Sequence, residues 1–174
     1  MHKVDKELIL RAAGRDPDAF SELVQLQMKN MYRTAYAILM NDADAKDAVQ
    51  DTAMTMWEKL PALRKPESFR TWCTRILVNC CFDIRKHRDT EVPLEEWEEP
   101  VSEDDYTLEW KEALLALGEK YRIPMELYYG QGYRISEIAE LMDIPASTVR
   151  TRLSRGRECM KRYYANESGR EVDG

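Results

Sequence analysis

The chain has 174 residues and a formal net charge of −6, with hydrophobic residues at 44% and charged residues at 33%. Only 7 glycines and 7 prolines punctuate it, which favours an all-helical build of one domain or two small ones. No apolar run approaches the ~18 residues needed to cross a bilayer, and the start lacks a signal-peptide core, so a cytoplasmic protein is expected.

The charge is segregated. Residues 1–63 sum to −2 and residues 64–88 to +5. Residues 89–110 carry ten acids and no base, 111–162 sum to +3, and the last twelve residues to −2. Two basic modules thus flank one acidic connector, a pattern that bears on function more than the total does.

Asp16-Pro17 is a helix start, with aspartate as N-cap and proline at the first helical position. An apolar stripe through Phe20, Leu23, Val24, Met31, Ala35, Ile38 and Leu39 carries that helix to about Asn41. The next helix is expected from Asp42 to Leu60, with Val49, Thr52, Ala53, Met56, Trp57 and Leu60 inward and Asp44, Asp47, Asp51 and Glu58 on the other side. Those acids suit a solvated face as well as a docking face. Pro61 stops the helix, and Leu63 to Ser68 forms a basic loop. A further helix runs from Phe69 to about His87, its expected buried stripe being Phe69, Trp72, Cys73, Ile76, Cys80 and Ile84. Phe69 and Trp72 stand beside Arg70, Arg75 and Asn79, a mixture that fits either core packing or stacking on unpaired bases.

The stretch Asp89 to Thr107 has two prolines and no usable periodicity, and reads as a linker that extended would reach about 60 Å. Beyond it a short helix is expected from Leu108 to Leu117, closed by Gly118, and another from Pro124 through Tyr129. Gly130 to Gly132 then turns the chain.

Tyr133 to Arg157 reads as a helix-turn-helix. Ile135, Ile138, Ala139 and Met142 form one stripe and Val149, Leu153 and Met160 a second, with the break at Asp143-Ile144-Pro145. Aspartate tolerates the left-handed conformation that such a break requires. From Ala146 to Arg162 six basic residues face one acid, interleaved with Ser147, Thr148, Thr151 and Ser154. Arginines among small hydroxyls suit phosphates and base edges in a major groove, so duplex DNA is the expected ligand.

The four cysteines show no CxxC spacing and no paired histidines, and Cys73, Cys80 and Cys81 lie on one helix. No metal, cofactor or disulfide framework is expected. No nucleophile with a paired base and no phosphate-binding glycine loop is evident, so the chain is not expected to be an enzyme.

These landmarks, Asp44-Ala-Lys-Asp-Ala-Val-Gln-Asp51, Phe69-Arg-Thr-Trp-Cys-Thr-Arg-Ile76 with Asn79 and Asp83, and Tyr133 to Arg157, occur in an order that resembles a bacterial RNA polymerase sigma factor of the extracytoplasmic-function group. The resemblance covers about 17 to 163. It implies two small helical domains, 1–88 (core polymerase and −10 element) and 108–165 (−35 element), joined by the acidic linker 89–107 and followed by a tail, 166–174. It further implies that Asp44, Asp47, Gln50 and Asp51 dock on core polymerase, and that Arg64, Lys65, Arg70, Trp72, Arg75 and Asn79 hold the opened −10 strand. Arg150, Thr151 and Ser154 match the base-facing positions for the −35 element, with Ser147, Thr148, Arg152 and Arg155 on phosphates. The linker would thread toward the RNA exit channel, and an anti-sigma factor would be a further partner. A plain helix-turn-helix regulator acting without polymerase, or a protein-interaction adaptor, are the alternatives.

Overall fold

The computed structural model describes residues 5–88 and 108–170, and all regular structure among them is helical. The chain divides into two compact units, Met1–Glu96 and Trp97–Gly174. The stretch expected to be a linker, 89–107, lies outside the described residues, as does the end of the expected tail from 171 on.

The first unit contains α1 (Lys6–Ala13), α2 (Pro17–Leu39), α3 (Asp42–Lys59) and α4 (Phe69–Arg88). Its helix starts follow local chemistry. The Asp16 carboxylate accepts from the backbone N–H of Asp18 and Ala19, both at 3.0 Å, and Pro17 occupies the first turn. Met40 ends α2 in the left-handed region at φ 53°, and the Asn41 side chain accepts from Asp44 N–H at 2.9 Å to open α3. The core is built from Leu23, Met31, Ala35 and Ile38 of α2, Ala45, Ala48, Val49 and Met56 of α3, and Phe69, Cys73, Leu77 and Val78 of α4, all buried. Burying side chains of the Leu, Met or Phe size contributes roughly 1.5–3 kcal/mol each. Alanines at the crossings let the helix axes approach.

The buried face of α4 differs from the expected stripe. Trp72, Ile76, Cys80 and Ile84 are only half-buried, whereas Thr74, Leu77, Val78 and Cys81 are fully inside. Helix α4 packs against both α2 and α3, so its core face is broad and centred on the Cys73–Leu77–Cys81 line. Ala53 and Trp57 of α3 are likewise half-buried rather than inward, and Phe20 covers Trp57 edge-on at 4.9 Å.

The second unit contains α5 (Leu108–Leu115), α6 (Glu119–Met125), α7 (Ile135–Met142) and α8 (Ala146–Arg170). Helix α5 stops two residues short of the expected end, and Gly118 is the N-cap of α6 rather than a terminator. Pro124 does not open a helix. It is buried within α6, where it removes the amide that would bond to the Lys120 carbonyl, and the chain then widens into a π turn, Glu126–Gly130. The Gln131 N–H reaches the Glu126 carbonyl at 3.0 Å across that wide turn.

In the helix-turn-helix, Asp143 adopts φ 50°, ψ 48° and its N–H caps the Ala139 carbonyl, which is the left-handed break anticipated for it. Ile138 and Leu141 are the buried residues of α7, while Ile135, Ala139 and Met142 are half-buried. Val149 and Leu153 anchor α8. Gly156 is also buried, and a β-carbon there would lie 2.7 Å from Met125 Cγ, so helix α6 packs where a side chain would otherwise stand. Helix α8 runs on to Arg170, past residue 165, where the DNA-binding domain is expected to close.

Candidate nucleic-acid and protein interfaces

Three surfaces emerge. On α3, Asp47, Gln50 and Asp51 are exposed, one turn apart on one face. Asp44 differs from them. It is half-buried and accepts from Arg88 Nη1 at 2.9 Å, so it ties the start of α3 to the end of α4. Met54 lies in the same stripe and is 64% exposed, an apolar residue between Asp51 and Glu58 that the acid pattern alone does not single out. A large exposed side chain amid charges is the usual composition of a docking face, apolar at its centre and charged at its rim.

The second surface begins at the basic loop. Two 3₁₀ turns, Leu60–Ala62 and Pro66–Ser68, hold its ends, each with a proline that presets the backbone. Ser68 Oγ donates to the Lys65 carbonyl at 2.7 Å, and the Ser68 N–H reaches the same oxygen at 2.9 Å. Arg64 and Lys65 are exposed between the turns. On α4, Arg75 and Asn79 are exposed and Arg70 and Trp72 half-buried, and 72, 75 and 79 fall on one helical face. Structure separates the two aromatics that sequence left together. Phe69 is 1% exposed and belongs to the core, while Trp72, 5.9 Å away between ring centroids, keeps surface available for stacking. Phe82 extends this face one turn past Asn79. Phe82 is 37% exposed, with the Arg85 guanidinium 5.1 Å from its ring centre. The Phe-x-x-Arg spacing is the signal for it.

The third surface is α8. Ser147, Arg150, Thr151, Ser154 and Arg155 are exposed, and Thr148 and Arg152 half-buried, opposite the buried Val149, Leu153 and Gly156. Thr151 Oγ1 donates to the Ser147 carbonyl at 3.1 Å, which orients the hydroxyl and leaves its lone pairs facing out. A hollow of about 690 Å³ opens beside Arg150, lined also by Tyr128, Arg134, Ser136 and Ala146. Arg134 and Ser136 stand at the start of α7. The Arg134 N–H itself bonds to Glu137 Oε2 at 2.7 Å. Arg134 and Ser136 fall outside the arginine-hydroxyl run of the second helix, and the first helix is marked in sequence only by its apolar stripe.

Cys73 and Cys81 are not placed for reactivity. Burial pushes the Cys73 thiol up to about 12 and raises Cys81 further, so neither forms a thiolate near neutrality. Cys73 Sγ contacts Met56 Sδ at 3.4 Å and Met31 Sδ at 3.8 Å, a sulfur-rich patch of core. Among the described residues no helix is long and apolar enough to cross a membrane.

Residues 23–90 match the Sigma-70 region 2 family and residues 107–160 match Sigma-70, region 4. The chain is 28% identical over 182 residues to the ECF RNA polymerase sigma factor SigW of Bacillus subtilis, covering 93% of this chain and 97% of that protein. It is 31% identical over 144 residues to the RNA polymerase sigma factor SigV of the same species, covering 80% and 87%. Among solved structures, CnrH in complex with the cytosolic domain of CnrY superposes with a TM-score of 0.67 at 22% identity, covering 99% of this chain and 100% of that one. The sigma factor RpoE in complex with the anti-sigma factor NepR from Bartonella quintana gives the same TM-score and identity, covering 82% and 94%. The two region matches fall in the order of the two helical units, and the chain belongs to the extracytoplasmic-function family of RNA polymerase sigma factors, which direct transcription initiation and are not themselves enzymes.

Proposed function

We propose that the three surfaces divide the work of initiation among themselves. Asp47, Gln50 and Asp51 dock on core polymerase around the apolar Met54, with Asp44 set back and acting chiefly through Arg88. Arg64, Lys65, Arg70, Trp72, Arg75 and Asn79 hold the opened strand of the −10 element. Arg150, Thr151 and Ser154 face the base edges of the −35 element, and Ser147, Thr148, Arg152 and Arg155 meet phosphates. On this reading residues 1–88 form the core-binding and −10 domain, and 108–165 the −35 domain. The acids of 89–107 imitate nucleic acid along the RNA path. An anti-sigma factor is a further partner, and the protein acts in the cytoplasm.

The observation that carries this reading is the separation of charge within one unit. An exposed acidic face on α3 stands beside a basic, aromatic face on α4. A duplex-binding regulator needs the second surface unit alone, and an adaptor has no use for an arginine-lined recognition helix. The polymerase supplies the chemistry, and this chain supplies promoter choice and strand separation.

Run-off transcription with purified core polymerase and fragmented genomic DNA is the test. Discrete transcripts that appear only when the chain is added support the reading. Duplex binding with no transcript above core alone would leave a regulator, and sequencing the RNA starts identifies the promoter elements.

A further inference from the structure

The loop at 63–68 depends on how α3 ends, and α3 ends at a proline. In a regular helix the Trp57 carbonyl would accept from the amide four residues on, but that residue is Pro61, which has no N–H. The missing donor comes from far away in sequence. Arg15 Nη1 donates to the Trp57 carbonyl at 2.7 Å and Nη2 reaches the Glu58 carbonyl at 3.5 Å, while the guanidinium lies 5.1 Å from the centre of the Trp57 ring. A cation at a helix C-terminus is favourable in its own right, since the last carbonyls carry the negative end of the helix dipole.

Arg15 holds this place in an unfavourable conformation. Its φ is 69°, in the left-handed region that glycine adopts without strain and that a β-carbon opposes. Gly14 stands immediately before it and does not take that role. Strain retained at a residue with three contacts to one distant helix end points to a task for that side chain. Helix α1, which precedes Arg15, packs on both 3₁₀ turns that flank the loop. The Arg11 guanidinium in turn grips the Asp16 N-cap at 2.7 Å, fixing the corner between α1 and α2. Helix α1, Arg11, Arg15 and Asp16 precede the segment matched by the region 2 family, 23–90, whereas the helix end and the turns they brace lie within it.

We propose that Arg15 is a positioning residue for promoter opening: it replaces the donor that Pro61 removes, and with α1 it sets the take-off of the loop that receives the unpaired strand. This inference rests on the reading of that loop as a −10 strand contact. Arg15 itself acts through the loop and not by contact with nucleic acid.

Arg15→Gly is the informative variant, because it removes the guanidinium and relieves the backbone strain, so the turn is kept. Arg15→Lys keeps the charge and a single donor. Both are compared with the wild type and with Arg64→Ala/Lys65→Ala as holoenzymes, on a promoter mapped from the RNA starts of the wild type. Permanganate reactivity of unpaired thymines reads opening, and gel shift at low temperature reads closed-complex binding. Arg15→Gly removes the short bond to the Trp57 carbonyl together with the weaker contacts and should lower the rate of opening at least about tenfold, the scale of one charge-assisted hydrogen bond, with closed-complex affinity and core binding unchanged. Arg15→Lys should recover part of that rate. In the free protein, amide exchange should accelerate at Leu63 and Ser68 but not in the core of α2 or α4. Wild-type opening by Arg15→Gly alongside impaired opening by Arg64→Ala/Lys65→Ala would overturn the brace and leave the loop assignment standing. Normal opening by both variants would overturn both. Faster exchange throughout the unit would reduce Arg15 to a general stabiliser and equally overturn the proposal.

Discussion

Reversing Asp47 and Asp51 to arginine tests the docking surface most directly. Both side chains are exposed on α3 and stand one turn apart, so the double change moves the local charge from −2 to +2 without touching the core. Each carboxylate facing a basic partner surface contributes on the order of 1 kcal/mol, and reversal replaces that attraction by a comparable repulsion. Two attractions lost and two repulsions gained give roughly 4 kcal/mol, a drop in affinity of about a thousandfold. The fold should not suffer. Position 47 is already past the first turn, where the helix dipole favours acids, and arginine is a better helix former than aspartate. Titration of labelled core polymerase should therefore show near-complete loss of binding, while the helical signal is unchanged and the free energy of urea unfolding stays within about 0.5 kcal/mol of the wild type. Wild-type affinity should also weaken with salt more steeply than the residual affinity of the variant. A variant that keeps its helical signal and binds core within about threefold of the wild type would refute the assignment of this face.

Arg150→Ala should relax base preference in the −35 element by about 1–3 kcal/mol at one position, whereas Arg155→Ala should weaken every sequence alike and shallow the salt slope by about one; a uniform loss in both would dissolve the distinction between them. Stability of the first unit should decline in alkali, because the native state keeps the Cys73 proton up to about 12 while the unfolded chain releases it near 9.0. The contribution is fully present below pH 9 and is lost at up to about 1.4 kcal/mol per pH unit above it, so Cys73→Ala should reduce the decline of urea-derived stability between pH 8 and 10.5 by up to that amount, leaving the share of the equally buried Cys81, and an unchanged slope would contradict the burial argument. Gly156→Val should destabilise the second unit selectively, since even the first added carbon meets the Met125 side chain, Cγ at 2.7 Å and Sδ at 2.8 Å, which must shift to admit it. The cost of such overpacking is about 1–3 kcal/mol or more, and an unaltered melting transition of the second unit would show that α6 and α8 do not close on that glycine.

Local chemistry was legible from residues alone. The Asp16-Pro17 start, the left-handed Asp143 and the arginine-hydroxyl face of α8 each depend on neighbours within a turn or two, and so does the charge segregation that separates the modules. Periodicity was less informative on α4, because it reports the mean direction of an apolar face and not how many neighbours cover it. Thr74 went inside and Trp72 stayed at the edge once α2 and α3 both packed there. Nor does a sequence show that Met54 will stand exposed, which carboxylate will be taken by Arg88, or that Arg15 will answer the amide missing at Pro61. The partners in the last two cases are 44 and 42 residues apart. Such pairings arise only when helices are brought together, since the groups have no local reason to meet and are selected by the orphan carbonyls and charges that packing leaves at each helix end.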